Sequence, residues 1–227
     1  MFFSIIIPTY NEAESIDMLI PKIYDVLNKH YNYEIVVMDD NSPDGTADIV
    51  RRLSKKYPVR VVVRKKNKGL SAAVIDGFKA SKGDVFCVMD ADLSHPPKVL
   101  PKIFAAIKSY DVIVGSRLVS GGGSEKWPFH RKLISWGAQL LSKPLTKVKD
   151  TMSGFFAVKK SVVLNAPLEA LGYKILLEIL VKGNYKSVTE IPFTFLNRSF
   201  GESKISMKVQ MEYLKQLCHL YRFKFFK

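Results

Sequence analysis

Cysteine is scarce in this chain. Cys87 and Cys218 are its only two, and no C-x-x-C motif occurs. That leaves neither a disulfide framework nor a zinc site, and a reducing compartment fits. No apolar stretch approaches the roughly 18 residues of a spanning helix. The opening MFFSIIIP lacks both a basic leader and a small-residue cleavage site, so the chain is expected to be neither secreted nor membrane-spanning. The N-R-S sequon at Asn197 is then expected to be idle. Also missing are G-x-x-x-x-G-K-[ST] and a G-x-G-x-x-G after the first apolar run. Phosphate-loop NTPases and dinucleotide-binding proteins lose their main support, as do nucleotidyltransferases, which need a Gly-rich basic loop there. Acidic residues are in deficit, 21 against 35 Lys and Arg, for a formal charge of +14. That excess implies an anionic partner: a phosphorylated ligand, nucleic acid or lipid headgroups. No internal repeat or low-complexity linker divides the 227 residues, whose 47% hydrophobic content suffices for one full core.

What is present is an apolar run that stops at two carboxylates. Residues Val85 to Pro97 read VFCVMDADLSHPP. Val85, Phe86, Val88 and Met89 have the unbroken apolar character of a strand buried on both faces, so Asp90 and Asp92 emerge at its carboxyl end. In an open parallel sheet that end faces the ligand crevice. A carboxylate pair suits a hard, oxygen-seeking cation, Mg²⁺ or Mn²⁺, carrying a diphosphate. Taken alone, the same two aspartates serve equally well as a turn or helix cap before Pro96 and Pro97. His95 is read as leading into the next helix, as neither ligand nor base.

The rest of the chain alternates strand and helix. Phe2 to Pro8 is a buried first strand, after which Asn11 and Glu14 have capping-box spacing. Ile16, Leu19, Ile20, Ile23 and Leu27 form one helical stripe, and Tyr33 to Met38 a second strand ending at Asp39. Ser42 as cap and Pro43 at the first helical position predict a helix towards Tyr57, followed by a strand over Val59 to Val63. A helix through Ala72, Ala73, Ile75 and Phe78 leads to the central strand; another, through Leu100, Ile103, Phe104 and Ile107, leads to Asp111–Ser116 and Arg117. Asp39, Asp90 and Arg117 thus all stand at strand ends. This order argues an α/β fold with a parallel sheet and right-handed crossovers. Gly121, Gly122 and Gly123 predict a mobile loop over the site. A helix towards Leu145, a strand-like Phe155–Val158 and a helix through Ile175, Leu176, Ile179 and Leu180 follow.

SIIIPTYNEAE, VVMDDNSPDGT, KGLSAAVIDGF, VMDADLSHPP, DVIVGSR, DTMSGFFAVKK, GYKILLEIL and R-x-x-GESK occur in this order. Together they resemble the inverting, family 2 type glycosyltransferases of GT-A fold, and among these the dolichyl-phosphate (polyprenyl-phosphate) mannose synthases. The resemblance runs from about Phe3 to about Tyr221. It implies a Rossmann-like, mostly parallel central sheet flanked by helices. Residues 1–204 would be the catalytic domain, and residues 205–227 an amphipathic membrane-interface helix of that same domain. Pro8, Tyr10 and Glu12 would contact the nucleotide, and Val37 and Asp39 would lie beside base and ribose, with Asp39 accepting from base N–H groups. Asp90 and Asp92 would hold the metal with Ser94, where some relatives carry Gln, and Ala91 would approach the ribose or phosphate through its backbone. Arg117, Arg131, Lys174, Arg198 and Lys204 would form the cationic set around the phosphates. Of these, Arg117 and Arg131 would grip the acceptor, and Asp92, Arg117 and Arg131 would carry catalysis. Asp150-Thr151 stands where close relatives have Asp-Pro, and Asp150 is read as site architecture.

The resemblance also implies the chemistry. A lipid phosphate oxygen, dolichyl or polyprenyl, attacks the anomeric carbon of GDP-mannose and GDP leaves from the opposite face. The acceptor is already anionic at neutral pH, so no general base is required. A related enzyme using a UDP-sugar such as UDP-glucose is the alternative. A nucleic-acid-binding module of the same charge leaves Asp39, Asp90 and Asp92 unexplained, because carboxylates repel nucleic-acid phosphates. At the C-terminus Met207, Met211, Leu214, Leu217, Tyr221 and Phe225 share one helical stripe among Lys208, Lys215, Arg222, Lys224 and Lys227. The terminal YRFKFFK mixes rings and cations as a headgroup interface demands. Peripheral attachment to the cytoplasmic face of a membrane is expected, helped by a membrane-spanning partner subunit.

Overall fold

The structure, a computed structural model, describes residues 1–27, 30–125, 129–196 and 207–226, without the side chains of 129–135 and 207–209. Among these, seven strands make one sheet: β1 (Phe2–Thr9), β2 (Asn32–Asp39), β3 (Val59–Val63), β4 (Val85–Val88), β5 (Val112–Ser116), β7 (Phe156–Lys159) and β8 (Val188–Pro192). Two further strands, β6 (Gly123–Ser124) and β9 (Thr194–Phe195), pair separately. The helices are α1 (Ala13–Leu27), α2 (Thr46–Leu53), α3 (Leu70–Ala80), α4 (Leu100–Ala106), α5 (Phe129–Ser142), α6 (Lys160–Val163), α7 (Ile175–Lys182) and α8 (Met207–Phe225), with a 3₁₀ turn at Pro97–Val99.

Strand order across the large sheet is β3-β2-β1-β4-β7-β5-β8. All neighbours are parallel except β7, which runs antiparallel to both β4 and β5. Successive residues of β1 point to opposite faces, so its apolar run feeds two cores. Ile5 and Ile7 join α1 and α4 on one side, and Ile6 joins α3 and α7 on the other. The chain leaves β1 in one direction towards β2 and β3 and returns to β4 on its other side. That reversal opens a crevice between the carboxyl ends of β1 and β4, where open α/β sheets bind ligands.

Several local expectations change. The Asn11–Glu14 capping box is not what starts α1. Asn11 is left-handed (φ 58°), and the N–H groups at the start of α1 donate instead to the β2–α2 loop and the first residue of α2. Glu12 N–H donates to Thr46 Oγ1 (3.1 Å) and Ala13 N–H to Asp44 Oδ2 (3.0 Å). Nor do Ser42 and Pro43 open α2, which begins at Thr46 behind Gly45 at φ 85°. The glycine stretch is a packed turn, not an open loop: Gly123 N–H donates to Phe193 O, and a Cβ on Gly122 would lie 2.6 Å from Ser116 O.

Helix α8 is built into the domain. Tyr213, Leu217 and Leu220 pack with Leu145, Met152 and Leu177. Tyr213 Oη and Tyr221 Oη donate to the carbonyls of Ala138 and Leu141, and Lys224 Nζ donates to Pro144 and Leu145. Of the carbonyls at the end of α5 that the helix leaves open, Leu141 O is thus met by α8, and Lys224 reaches the carbonyls of the turn just beyond. The buried face differs from the expected stripe: Leu217 faces inward, whereas Met211, Leu214 and Phe225 stay exposed.

Candidate active site

Asp39 ends β2 opposite Thr9 of β1. It is fully buried. Oδ1 accepts from Thr9 Oγ1 (3.0 Å) and Ser42 Oγ (2.6 Å), and Oδ2 from Ser42 N–H (2.9 Å). Three of a carboxylate's roughly four acceptor positions are thus used in tying the β2 turn to β1. Pro8 and Glu12 are half-buried and Tyr10 is exposed at the crevice mouth, with Lys68 Nζ 6.0 Å from the Tyr10 ring. Val37 is fully buried among the core residues around Ile7.

The neighbouring aspartate, Asp40, was not singled out by the sequence, nor was Arg64 at the end of β3. They form a buried ion pair, with side chains 4% and 11% exposed. Arg64 Nη1 donates to Asp40 Oδ1, Nε to Asp76 Oδ2 (3.0 Å) and Nη2 to Asn67 O (2.5 Å), while Asp40 Oδ2 accepts from Gly69 N–H (2.7 Å). Together they hold the 65–69 loop beside Tyr10. The signal was present, since VVVR repeats the pattern of an apolar run ending in a charge that marks Asp39, Asp90 and Arg117.

At the end of β4 the two D-x-D carboxylates occupy different surroundings. The Asp90 side chain is 30% exposed, whereas Asp92 is buried, its Oδ1 accepting from Ser94 N–H (3.1 Å) and Ser94 Oγ (2.5 Å). Ala91 and Ser94 are buried. Leu93 between them is left-handed at φ 64°, which folds the chain back on itself. His95 leads, as expected, into the 3₁₀ turn at Pro97–Val99 and α4, but it also has a place in the site. Its ring is buried, stacked on Phe155 (5.0 Å, 13°) and edge-on to Phe193 and Phe195. Burial pushes its pKa below the ordinary 6.5; Asp90 and Asp92 act against that shift, and Arg117 and Lys174 with it. One buried ring thus feels the charge of both carboxylates and both cations.

Arg117, directly after β5, is held by Asp150. Nε and the backbone N–H donate to Oδ2 (2.8 and 2.9 Å), and Nη2 donates to Oδ1 (2.7 Å). Asp150 is itself fixed, its N–H donating to Glu190 Oε1 of β8 (3.1 Å). Lys174 stands at the head of α7 with Nζ on Met152 O (2.9 Å). Arg131 lies in the backbone of α5, but its side chain, like Asn197, Arg198 and Lys204, lies outside the described residues.

No three His, Cys, Asp or Glu side chains among the described residues cluster as a self-sufficient metal cage. Two carboxylates and a hydroxyl fit a hard cation that takes its remaining oxygens from a diphosphate and water, as Mg²⁺ does characteristically. The residues present therefore fit such an ion shared with a ligand.

Residues 4–165 match the profile of Glycosyl transferase family 2. The chain is 53% identical over 98% of its length to the dolichol-phosphate mannosyltransferase of Pyrococcus furiosus, of which it spans 63%. It is 40% identical to the protein of that name from Mycosarcoma maydis and 39% identical to that from Saccharomyces cerevisiae, in each case over 98% of the chain, spanning 80% and 88% of those proteins. In fold it is similar to glucosyl-3-phosphoglycerate synthase from Mycobacterium tuberculosis, with a TM-score of 0.70 at 16% identity, covering 98% of this chain and 79% of that one. The complex of that enzyme with Mn²⁺ and uridine-diphosphate-glucose superposes with a TM-score of 0.69 at 16% identity, covering 98% and 78%.

Proposed function

Because the chain belongs to glycosyl transferase family 2, we propose that it transfers mannose from GDP-mannose to dolichyl or polyprenyl phosphate, with inversion at the anomeric carbon. The observation that carries this reading is the match, over nearly the whole chain, to proteins named dolichol-phosphate mannosyltransferase. The site chemistry supports it: Asp90 and Asp92, carboxylates for a cation, follow β4, while Arg117 follows β5 and Lys174 heads α7.

An oxygen of the lipid phosphate forms the new bond to the anomeric carbon as the bond to GDP breaks, and the electron pair leaves on the β-phosphate. Residues of this chain act by fixed charge. Pro8, Tyr10 and Glu12 line the nucleoside half, with Val37, Asp39 and Ala91 buried behind them. Arg117 and Lys174, with Arg198 and Lys204, balance the diphosphate, while Arg117 and Arg131 hold the acceptor phosphate. Asp90, Asp92 and Ser94 would hold Mg²⁺ or Mn²⁺, which when bound supplies Lewis-acid stabilisation of the leaving diphosphate. The acceptor draws the protein to a membrane as a peripheral enzyme on its cytoplasmic face, beside a membrane-spanning partner.

The test offers radiolabelled GDP-mannose and UDP-glucose separately, with dolichyl phosphate and Mn²⁺ or Mg²⁺. Label entering lipid from GDP-mannose alone is expected. Transfer from UDP-glucose alone would replace the donor, and transfer from neither would overturn the reading.

A further inference from the structure

We propose that His95 is a positioning residue for the carboxylate Asp90, acting through an acceptor nitrogen held by an aromatic box. The inference rests on the reading of Asp90 as a metal ligand. The backbone N–H of Asp90 donates to His95 Nδ1 at 2.9 Å. An imidazole nitrogen that accepts carries no hydrogen, so the ring proton sits on Nε2. Nε2 lies 3.8 Å from Asp90 Oδ2, too far for a hydrogen bond but with its positive edge turned towards the carboxylate. One ring thus holds the main chain of Asp90 and faces its side chain.

The surroundings are built for this. β4 ends at Val88 and Met89 N–H still donates to Ile6 O of β1; Asp90 is the next residue, and its N–H donates to His95 instead of to a strand. The chain reaches back five residues through a left-handed turn at Leu93 (φ 64°), a conformation uncommon for a non-glycine residue. Phe155, Phe193 and Phe195 fix the ring plane. Gly154 closes the other side: a Cβ there would stand 3.2 Å from Asp90 Oδ2 and 3.3 Å from His95 Cε1. Groups that orient a metal ligand from behind contribute to metal affinity about as the ligand's own rotamer does, and losing one typically costs about 10- to 100-fold.

Two substitutions separate the acceptor from the ring. His95→Phe keeps an aromatic plane in the box and leaves the Asp90 N–H without a partner. His95→Asn loses the ring but puts a carbonyl oxygen where Nδ1 was. Mn²⁺ affinity is read by electron paramagnetic resonance with GDP present, and with UDP in a parallel series, below the melting temperature of each variant. His95→Phe is expected to bind Mn²⁺ at least about tenfold more weakly, and His95→Asn within about threefold of the parent. Full Mn²⁺ affinity in His95→Phe, or an equal loss in both variants, overturns the positioning role. Asp90→Ala is the control. If it binds Mn²⁺ normally, the metal reading fails and this inference with it; if it loses Mn²⁺ while His95→Phe does not, only the role of His95 fails. Nitrogen-15 spectra of the unaltered protein give an independent check, because a hydrogen found on Nδ1 excludes the acceptor role whatever the variants do.

Discussion

Arg117 and Asp150, 33 residues apart in sequence, meet as a two-pronged ion pair in which Nε and Nη2 each donate to one carboxylate oxygen. Both side chains are nearly or wholly out of water, at 10% and 0% exposure. Asp150 therefore sets the orientation of the cation proposed to face both phosphates. Removing one member of a buried pair strands the other. Asp150→Ala is expected to lower the unfolding free energy by about 3 kcal/mol in urea titrations and to reduce transfer. Arg117→Lys, which keeps the charge but not the fork, should lose transfer with a smaller loss of stability. An Asp150→Ala protein as stable as the parent would contradict this role.

Replacing Asp90 or Asp92 by Ala should abolish transfer while the fold persists. The two should differ in stability. Asp92 is buried and bonded to Ser94, so its loss also strands that serine, whereas Asp90 is partly exposed. Circular dichroism melts alongside transfer assays at saturating Mn²⁺ decide the point. Near-normal transfer by a folded variant would remove the pair from the metal site.

The fold offers candidate residues for the proposed membrane contact. Truncating α8 would remove Leu217 and Leu220 from the core and confuse detachment with unfolding. Among the exposed apolar residues are Trp136, Leu140 and Leu141 on α5, Met211, Leu214 and Phe225 on α8, and Phe226 at 83% exposure. The combined Trp136→Ser, Leu214→Ser and Phe225→Ser variant should stay folded yet float poorly with anionic liposomes at low salt. Flotation equal to the parent's would place the membrane contact elsewhere.

Acid stability should depend on Asp111. Its carboxylate accepts from Lys186 N–H, Lys159 Nζ and Ser187, and these bonds bring its pKa from the ordinary 3.8 down to about 2. The folded value is the lower one, so its stabilisation is full above about pH 4 and fades as pH falls towards 2. Asp111→Asn should therefore melt below the parent at pH 6, with the gap closing below pH 3 as both forms become neutral. A gap independent of pH would assign the residue a packing role alone.

What the sequence determined by itself was the sheet's interior and its chemistry. Short runs such as SIIIP, IVVMD and VFCVMD can satisfy their backbone and hide their side chains only as buried strands, and the first charge after each run must fall at the strand's end. Asp39, Asp90 and Arg117 were legible for that reason. Strand β8 was not, because at the sheet's edge Val188–Pro192 is half-exposed, and an edge strand need not be apolar. Nor was the cap of α1, since Asp44 and Thr46 arrive from a loop more than 30 residues away and compete with any local capping signal. Tertiary packing alone decided which face of α8 is buried, because that helix is apolar on two sides and only the carbonyls and side chains of α5 and α7 choose between them. It alone also turned His95 inward, since three phenylalanines distant in sequence build the box that holds the ring against Asp90.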